Sequence, residues 1–212
     1  MIPTLTTDRL TLRAPTEADF PVMAEFYASE RSQFVGGPMP PEQTWRALAS
    51  ELGHWMLKGY GRWAVDITET GQFIGIIGLW NPEGWPEEEL GWDLMNGATG
   101  KGYATEAAIA ARAYAYDTLG WTTLTSLVRP ENTKSAAVAQ RMGARFDGEF
   151  THERHGHMHI YRHPAPEELT SATTQPAPPK SSRITAPAST GWTRSWSIRW
   201  ASGSSTPRPW AS

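Results

Sequence analysis

The chain has no cysteine among its 212 residues. Disulfides, zinc–thiolate sites and thiol nucleophiles are therefore excluded, and any acyl chemistry must proceed without an acyl-cysteine. A long apolar run is also missing. Nothing approaches the ~20 apolar residues that span a bilayer, and the first 13 residues carry no basic stretch followed by an apolar one. A soluble, cytoplasmic protein with no membrane partner is expected. Acidic residues are missing after Glu168, and from residue 171 onward the only charges are Lys180, Arg183, Arg194, Arg199 and Arg208. The net charge of -3 thus divides into an acidic body and a basic tail. An acidic body argues against nucleic acid as a partner, because such binding rests on Lys and Arg at phosphates; a cationic amine suits it better.

Residues 171–212 also lack Leu, Val, Phe, Met and Tyr. Such a segment cannot bury enough apolar surface to offset ordering, at roughly 1 to 2 kcal/mol per residue. One folded domain over residues 1–168 and a low-complexity, disordered tail over 169–212 are expected. The tail's composition matches out-of-frame translation of GC-rich coding sequence. Trp192, Trp196 and Trp200, with Arg194 and Arg199, leave one amphipathic turn open as the alternative.

Within the body, Leu10 and Leu12 alternate with polar residues as in a strand, and Thr16 and Asp19 have capping-box spacing. Phe20, Met23, Ala24 and Tyr27 then fall on one helix face, with Pro21 tolerable in the first turn. After a Gly/Pro-rich loop at 36–41, Trp45, Leu48, Leu52, Trp55 and Met56 mark a second helix face, expected to be core and to end near Gly59. Residues 63–67 and 73–79 read as an antiparallel hairpin, and 90–95 as a further strand. A glycine-rich turn at 97–102 opens an alanine-rich helix from Tyr103 to about Leu119. A strand at 122–128, a helix at 133–142 stopped by Gly143, and strand-like runs at 145–150 and 157–161 complete the body. The order predicts an α/β fold, a mixed sheet with helices on its faces.

Gly97, Gly100 and Gly102 let backbone approach a ligand closely, and the first N–H groups of the following helix have no internal partners. Together they make an anion site that fits a pyrophosphate. A tight strand-to-helix connection needs glycine too, so the turn alone leaves ligand binding open. Two nucleotide loops fail on spacing. A Rossmann fingerprint wants Gly or Ala at position 105, which is Thr105, and a Walker loop wants Ser or Thr after Gly100-Lys101, where Gly102 stands.

Gly100-Lys101-Gly102-Tyr103-Ala104-Thr105-Glu106-Ala107 precedes a second segment, Val128-Arg129-Pro130-Glu131-Asn132-Thr133-Lys134-Ser135, with Gly143 eleven residues after the asparagine. Both lie behind the strand Glu89-Leu90-Gly91-Trp92-Asp93-Leu94. In this order they resemble the GNAT superfamily of acyl-CoA N-acyltransferases, in the branch of the Rim-type ribosomal-protein N-terminal acetyltransferases, over about residues 5–163. The resemblance implies a mostly antiparallel sheet with helices on both faces and a splayed parallel strand pair at the CoA site. It implies acetyl-CoA as acyl donor, no metal, and direct attack of a primary amine on the thioester in a ternary complex. Backbone N–H groups of Gly100, Lys101, Gly102, Tyr103 and Ala104, with Thr105 in the same turn, would hold the pyrophosphate. Leu94 and Met95 would pair with the pantetheine arm and offer an N–H to the thioester oxygen. Asn132 would bind pantetheine amides, and Ser135 would stand near sulfur as the acid. Two positions depart from the superfamily pattern. Gly97 replaces a frequent Arg or Gln, and Ala139 stands where many members have a tyrosine acid, whereas Ser135 matches the Rim-like branch.

Glu89 is the first candidate for the base, with Glu87 on the same strand face and Glu88 on the other; a solvated acidic turn is the competing reading. His155, His157 and His159 have the spacing to share a strand face, but no carboxylate partner is visible beside them, and a polar face bordering the acceptor is expected rather than a metal. Loops 34–41 and 81–86 are expected to border the acceptor, a protein N-terminus or a small-molecule amine. A catalytically silent CoA-binding module and an interaction protein using the tail's tryptophans are the alternatives. A monomer and a homodimer suit the sequence equally.

Overall fold

Ile76 and Ile77 are neighbours on one strand and both are fully buried, because that strand carries a layer of helix on each face. Ile76 packs with Met23, Phe26, Tyr27 and Leu48, and Ile77 with Ala107, Ala108, Ala111 and Ala115. The structure, a computed structural model, describes residues 1–174. In chain order these form β1 (Leu5–Thr6), β2 (Leu10–Arg13), α1 (Phe20–Tyr27), α2 (Pro41–Lys58), β3 (Arg62–Ile67), β4 (Gln72–Trp80), β5 (Glu89–Leu94) and α3 (Tyr103–Asp117). There follow β6 (Thr125–Val128), α4 (Thr133–Arg141), β7 (Arg145–His152), β8 (Gly156–Arg162) and α5 (Pro166–Thr174).

The strands make one eight-stranded sheet in the order β1-β2-β3-β4-β5-β6-β8-β7. Every neighbouring pair is antiparallel except β5 and β6, which are parallel and share a single register pair, Glu89 with Thr125. Beyond it the two strands part. The Leu127 N–H, next on the ladder, reaches the Glu89 carboxylate at 3.4 Å, and Ser126 Oγ donates to the Leu90 carbonyl at 2.6 Å. The expected mixed sheet, with helices on both faces and a splayed parallel pair, is the fold observed.

Three details differ from expectation. The buried face of α2 is Thr44, Leu48, Glu51, His54 and Trp55, while Trp45, Leu52 and Met56 are exposed. The helix is rolled about its axis because Glu51 turns inward to meet Arg62 of β3. Strand β6 begins at Thr125 rather than at 122, since β5 starts and β8 ends level with Thr125 and the ladder does not extend before it. The expected boundary at 168 falls inside α5, whose Leu169 packs against the larger core cluster. Residues 175–212, with the tryptophan stripe, lie outside the described residues. Among the described residues, no helix is long and apolar enough to cross a membrane.

Candidate active site

Gly97, Gly100 and Gly102 adopt φ of +79°, +81° and +82°, a region that L side chains avoid. Gly102 is the N-cap of α3, and no side chain caps that helix. The first N–H groups of α3 have no acceptor within the helix. They open onto a groove of about 1450 Å³ with Thr99, Gly100, Gly102, Tyr103, Ala104 and Thr105 on one wall and Asn132 and Ser135 on the other. Lys101 does not line the groove. Its side chain is exposed, and its carbonyl accepts Arg9 Nη1 at 3.1 Å.

Arg9 belongs to a clamp that sequence reasoning missed. Glu106, in the first turn of α3, accepts Thr7 Oγ1 at 2.6 Å, the Arg9 N–H at 3.0 Å and Arg9 Nε at 2.7 Å, while the Arg9 guanidinium lies 4.8 Å over the Tyr103 ring. Burial pushes the Glu106 carboxyl up, but the bonds from Thr7 and Arg9 outweigh it and hold the group below the usual carboxylate range. The start of α3 is thereby fixed to the β1–β2 turn. A carboxylate in a first helical turn is the one signal the sequence offers, and it does not identify the partner.

Successive N–H groups of a strand point to opposite edges. The Met95 N–H donates to the Ile74 carbonyl of β4 at 2.9 Å, and the Leu90 carbonyl faces β6. Leu94, of the same parity as Leu90, therefore turns its N–H and carbonyl toward the gap between β5 and β6. Arg31 reaches that carbonyl at 3.4 Å. Met95 corrects the expectation. Its N–H is committed to β4, its side chain is buried among Met23, Phe26 and Ile76, and it lines neither cavity. The register that sets Gly75 opposite Leu94 puts Ile74 opposite Met95, so this bond continues the β4–β5 ladder by one residue.

Asn132 is the N-cap of α4, and its Oδ1 accepts the Ser135 N–H at 3.2 Å. Its amide nitrogen has no partner among the described residues. Ser135 Oγ accepts Trp92 Nε1 at 3.1 Å. Since the indole can only donate, the serine hydrogen is left for another acceptor.

A second cavity, of about 700 Å³, lies on the other side of these residues and holds Glu89. The two cavities share Trp92, Asp93, Asn132 and Ser135 as lining. Glu89 accepts Trp85 Nε1 at 2.6 Å and the Leu127 N–H at 3.4 Å, and burial pushes its carboxyl up. Both loops expected at the acceptor line this cavity, through Phe34, Val35 and Met39 and through Pro82 and Trp85. Its floor is a buried network. Arg62 donates to both Glu51 oxygens and to Asp93 at 3.0 Å, and Tyr27 donates its hydroxyl to Asp93 at 2.9 Å. Burial pushes the Glu51 carboxyl up against the pull of Arg62. Glu51 had left a trace in the sequence, a charge amid the apolar face of α2. Glu87 is elsewhere, in a bidentate pair with Arg162 at 2.7 and 2.8 Å.

The histidines divide. His155 lines the second cavity, beside Trp85 and His152. His157 and His159 stand on the β7–β8 hairpin with Glu149, each at 3.8 Å from its carboxylate, and line neither cavity. Glu149 is the carboxylate partner that sequence reasoning did not find; it is paired to His159 by strand register. The three ligand atoms lie within 4.8 Å of one another.

A family model described as an acetyltransferase (GNAT) domain matches residues 9–145, more than half of the chain. An uncharacterized N-acetyltransferase, p20, of Bacillus licheniformis is 27% identical over 150 residues, 68% of this chain and 84% of that protein. A solved acetyltransferase of Agrobacterium tumefaciens is 45% identical with a TM-score of 0.71, over 77% of this chain and 95% of that one. RimL, a ribosomal L7/L12 alpha-N-protein acetyltransferase solved in complex with coenzyme A, shares the fold at a TM-score of 0.57 and 17% identity, over 76% of this chain and 97% of its own.

Proposed function

The chain belongs to the GNAT acetyltransferase family, and from that premise we propose that it moves an acetyl group from acetyl-CoA to a primary amine by direct attack in one ternary complex. The observation that carries this is the meeting of two cavities at Trp92, Asn132 and Ser135. One has the uncapped helix start and open strand edge that suit a pyrophosphate and an amide-bearing arm. The other has a carboxylate of raised pKa.

In this reading the free N–H groups from Gly100 to Ala104 hold the pyrophosphate, aided by the dipole of α3. The Leu94 edge and the Asn132 amide hold the pantetheine arm. A thioester oxygen in reach of the Leu94 N–H gains typically ~3 kcal/mol of transition-state stabilisation. Glu89 takes a proton from the incoming ammonium, directly or through water, and its raised pKa brings it nearer the working pH. The amine nitrogen bonds to the carbonyl carbon, the carbon–sulfur bond breaks, and the Ser135 hydroxyl donates its hydrogen to the departing sulfur while the surplus proton of the newly attached nitrogen passes, directly or through water, to the serine oxygen. No step needs a metal or an acyl-enzyme. Such a reaction suits a cytoplasmic protein.

The test is thiol release from acetyl-CoA on addition of amines. Gly102→Val, which forces a branched side chain into φ of +82°, should weaken CoA binding at least about tenfold by calorimetry. Unchanged affinity in a folded variant would mean that the pyrophosphate sits elsewhere.

A further inference from the structure

The cavity that holds Glu89 carries charge of both signs, and only part of it is paired. Arg62 is engaged by Glu51 and Asp93. Three other guanidinium groups line the same cavity, Arg46 on α2, Arg129 just after β6 and Arg154 in the β7–β8 turn. None of the three forms an ion pair among the described residues, and Arg129 and Arg154 stand together at the end where β6 meets the β7–β8 turn. Arg129 Nε is buried with no hydrogen-bond partner at all. Buried donors of charged groups are rarely left unmade in native proteins, and the guanidinium that carries this one lines a cavity. His155 lines the same cavity, and burial together with the charges of His152, Arg154 and Arg129 pushes its imidazole down.

We propose that Arg129, seconded by Arg154, binds a carboxylate of the acceptor, so that the substrate is a small zwitterion of the amino-acid class rather than the N-terminus of a polypeptide. The amine faces Glu89 and the acid floor, and the carboxylate faces Arg129, whose planar fork matches it in bidentate fashion. The cavity's volume, about 700 Å³, falls in the range of small-molecule sites, roughly 300–1,000 Å³. A polypeptide N-terminus presents a neutral peptide carbonyl at the corresponding place and would leave both guanidinium groups unpaired. Arg129 is therefore a specificity-determining residue that separates acids from their amides. The inference rests on the Glu89 cavity being the acceptor side.

The experiment compares free amino acids with their carboxamides and with short peptides, using the full chain at saturating acetyl-CoA. Acids should exceed matched amides in kcat/KM by about 10- to 100-fold, the effect of a charged hydrogen-bonded pair. That preference should collapse in Arg129→Gln, largely through KM, and recover in part in Arg129→Lys. Arg154→Gln, at an exposed position, gives a second variant should Arg129→Gln fail to fold. Calorimetry of an N-acetylated amino acid and its amide against the CoA-loaded protein reads the same preference without turnover. Equal handling of acids and amides, a preference that survives both Gln variants, or no response to any acid in either measurement overturns the proposal. Failure of CoA itself to bind would instead sink the transferase reading, and product binding distinguishes the two failures.

Discussion

Ser135 and Ala139 lie one helical turn apart on α4 and have opposite surroundings. Ala139 is fully buried against Val128, Ala144 and Tyr161, so its methyl group serves packing and offers no proton. Ser135 borders both cavities and accepts from Trp92. Ser135→Ala should therefore lower kcat by about 10- to 100-fold with little change in CoA affinity, because its interaction grows as the sulfur departs. An unchanged kcat in pre-steady-state acetyl transfer would assign the proton to water. The serine was legible as a position in a motif, whereas its orienting tryptophan was not, since 43 residues separate them. His163 carries a different kind of consequence. It is buried, bonded through Nε2 to Ser126 Oγ at 2.9 Å, and burial with the nearby Arg112 pushes its pKa from 6.5 down to about 3. The unfolded chain takes up this proton near pH 6.5 and the folded one does not. Stability is unaffected by this group above pH 6.5, then falls by at most about 1.4 kcal/mol per pH unit toward pH 3. Glu51 and Glu89, with raised carboxyls, act with the opposite sign, gaining stability as pH falls through their folded pKa. The difference in urea stability between wild type and His163→Gln should isolate the histidine. A difference that stays flat from pH 7 to pH 4.5 would show that His163 titrates normally.

Among the elements, those governed by local rules were readable. Gly59 closes α2 at φ of +78° and Gly102 opens α3 at +82°, and both positions follow from what glycine alone tolerates. The roll of α2 was not readable, because apolar periodicity counts Trp45 and Met56 as core while the buried ion pair of Glu51 with Arg62 turns them outward. Nor was α5. Its second half, residues 170–174, has the composition of the tail that follows, and Leu169, packed on the core, helps tie the helix Pro166–Thr174 to the domain. A chain ending at residue 175 should keep its melting temperature and acetyl transfer. One ending at 168 loses that leucine and should melt about 2–4 °C lower. Identical melting curves for the two truncations would make α5 an ornament, and loss of folding in the longer one would assign structural work to residues beyond 175.

For the molecule as a whole, fold class and the family were legible because each rests on short segments whose order is diagnostic. The Glu89 cavity was not, since it gathers α2, β3, β5, the turn after β6 and the β7–β8 turn, and no stretch of sequence records such convergence. Net charge pointed to a cationic partner and concealed Arg129 and Arg154, whose unpaired state is visible only in three dimensions. The single parallel rung between Glu89 and Thr125 has a further mechanical meaning. It divides the sheet into a five-stranded and a three-stranded plate joined along a seam that is largely unsewn. A pantetheine arm seated beside Leu94, as proposed, would bond to both plates, so the donor would also be the missing thread. Occupancy should stiffen the seam, and departure of the product thiol should return each plate its freedom to hinge.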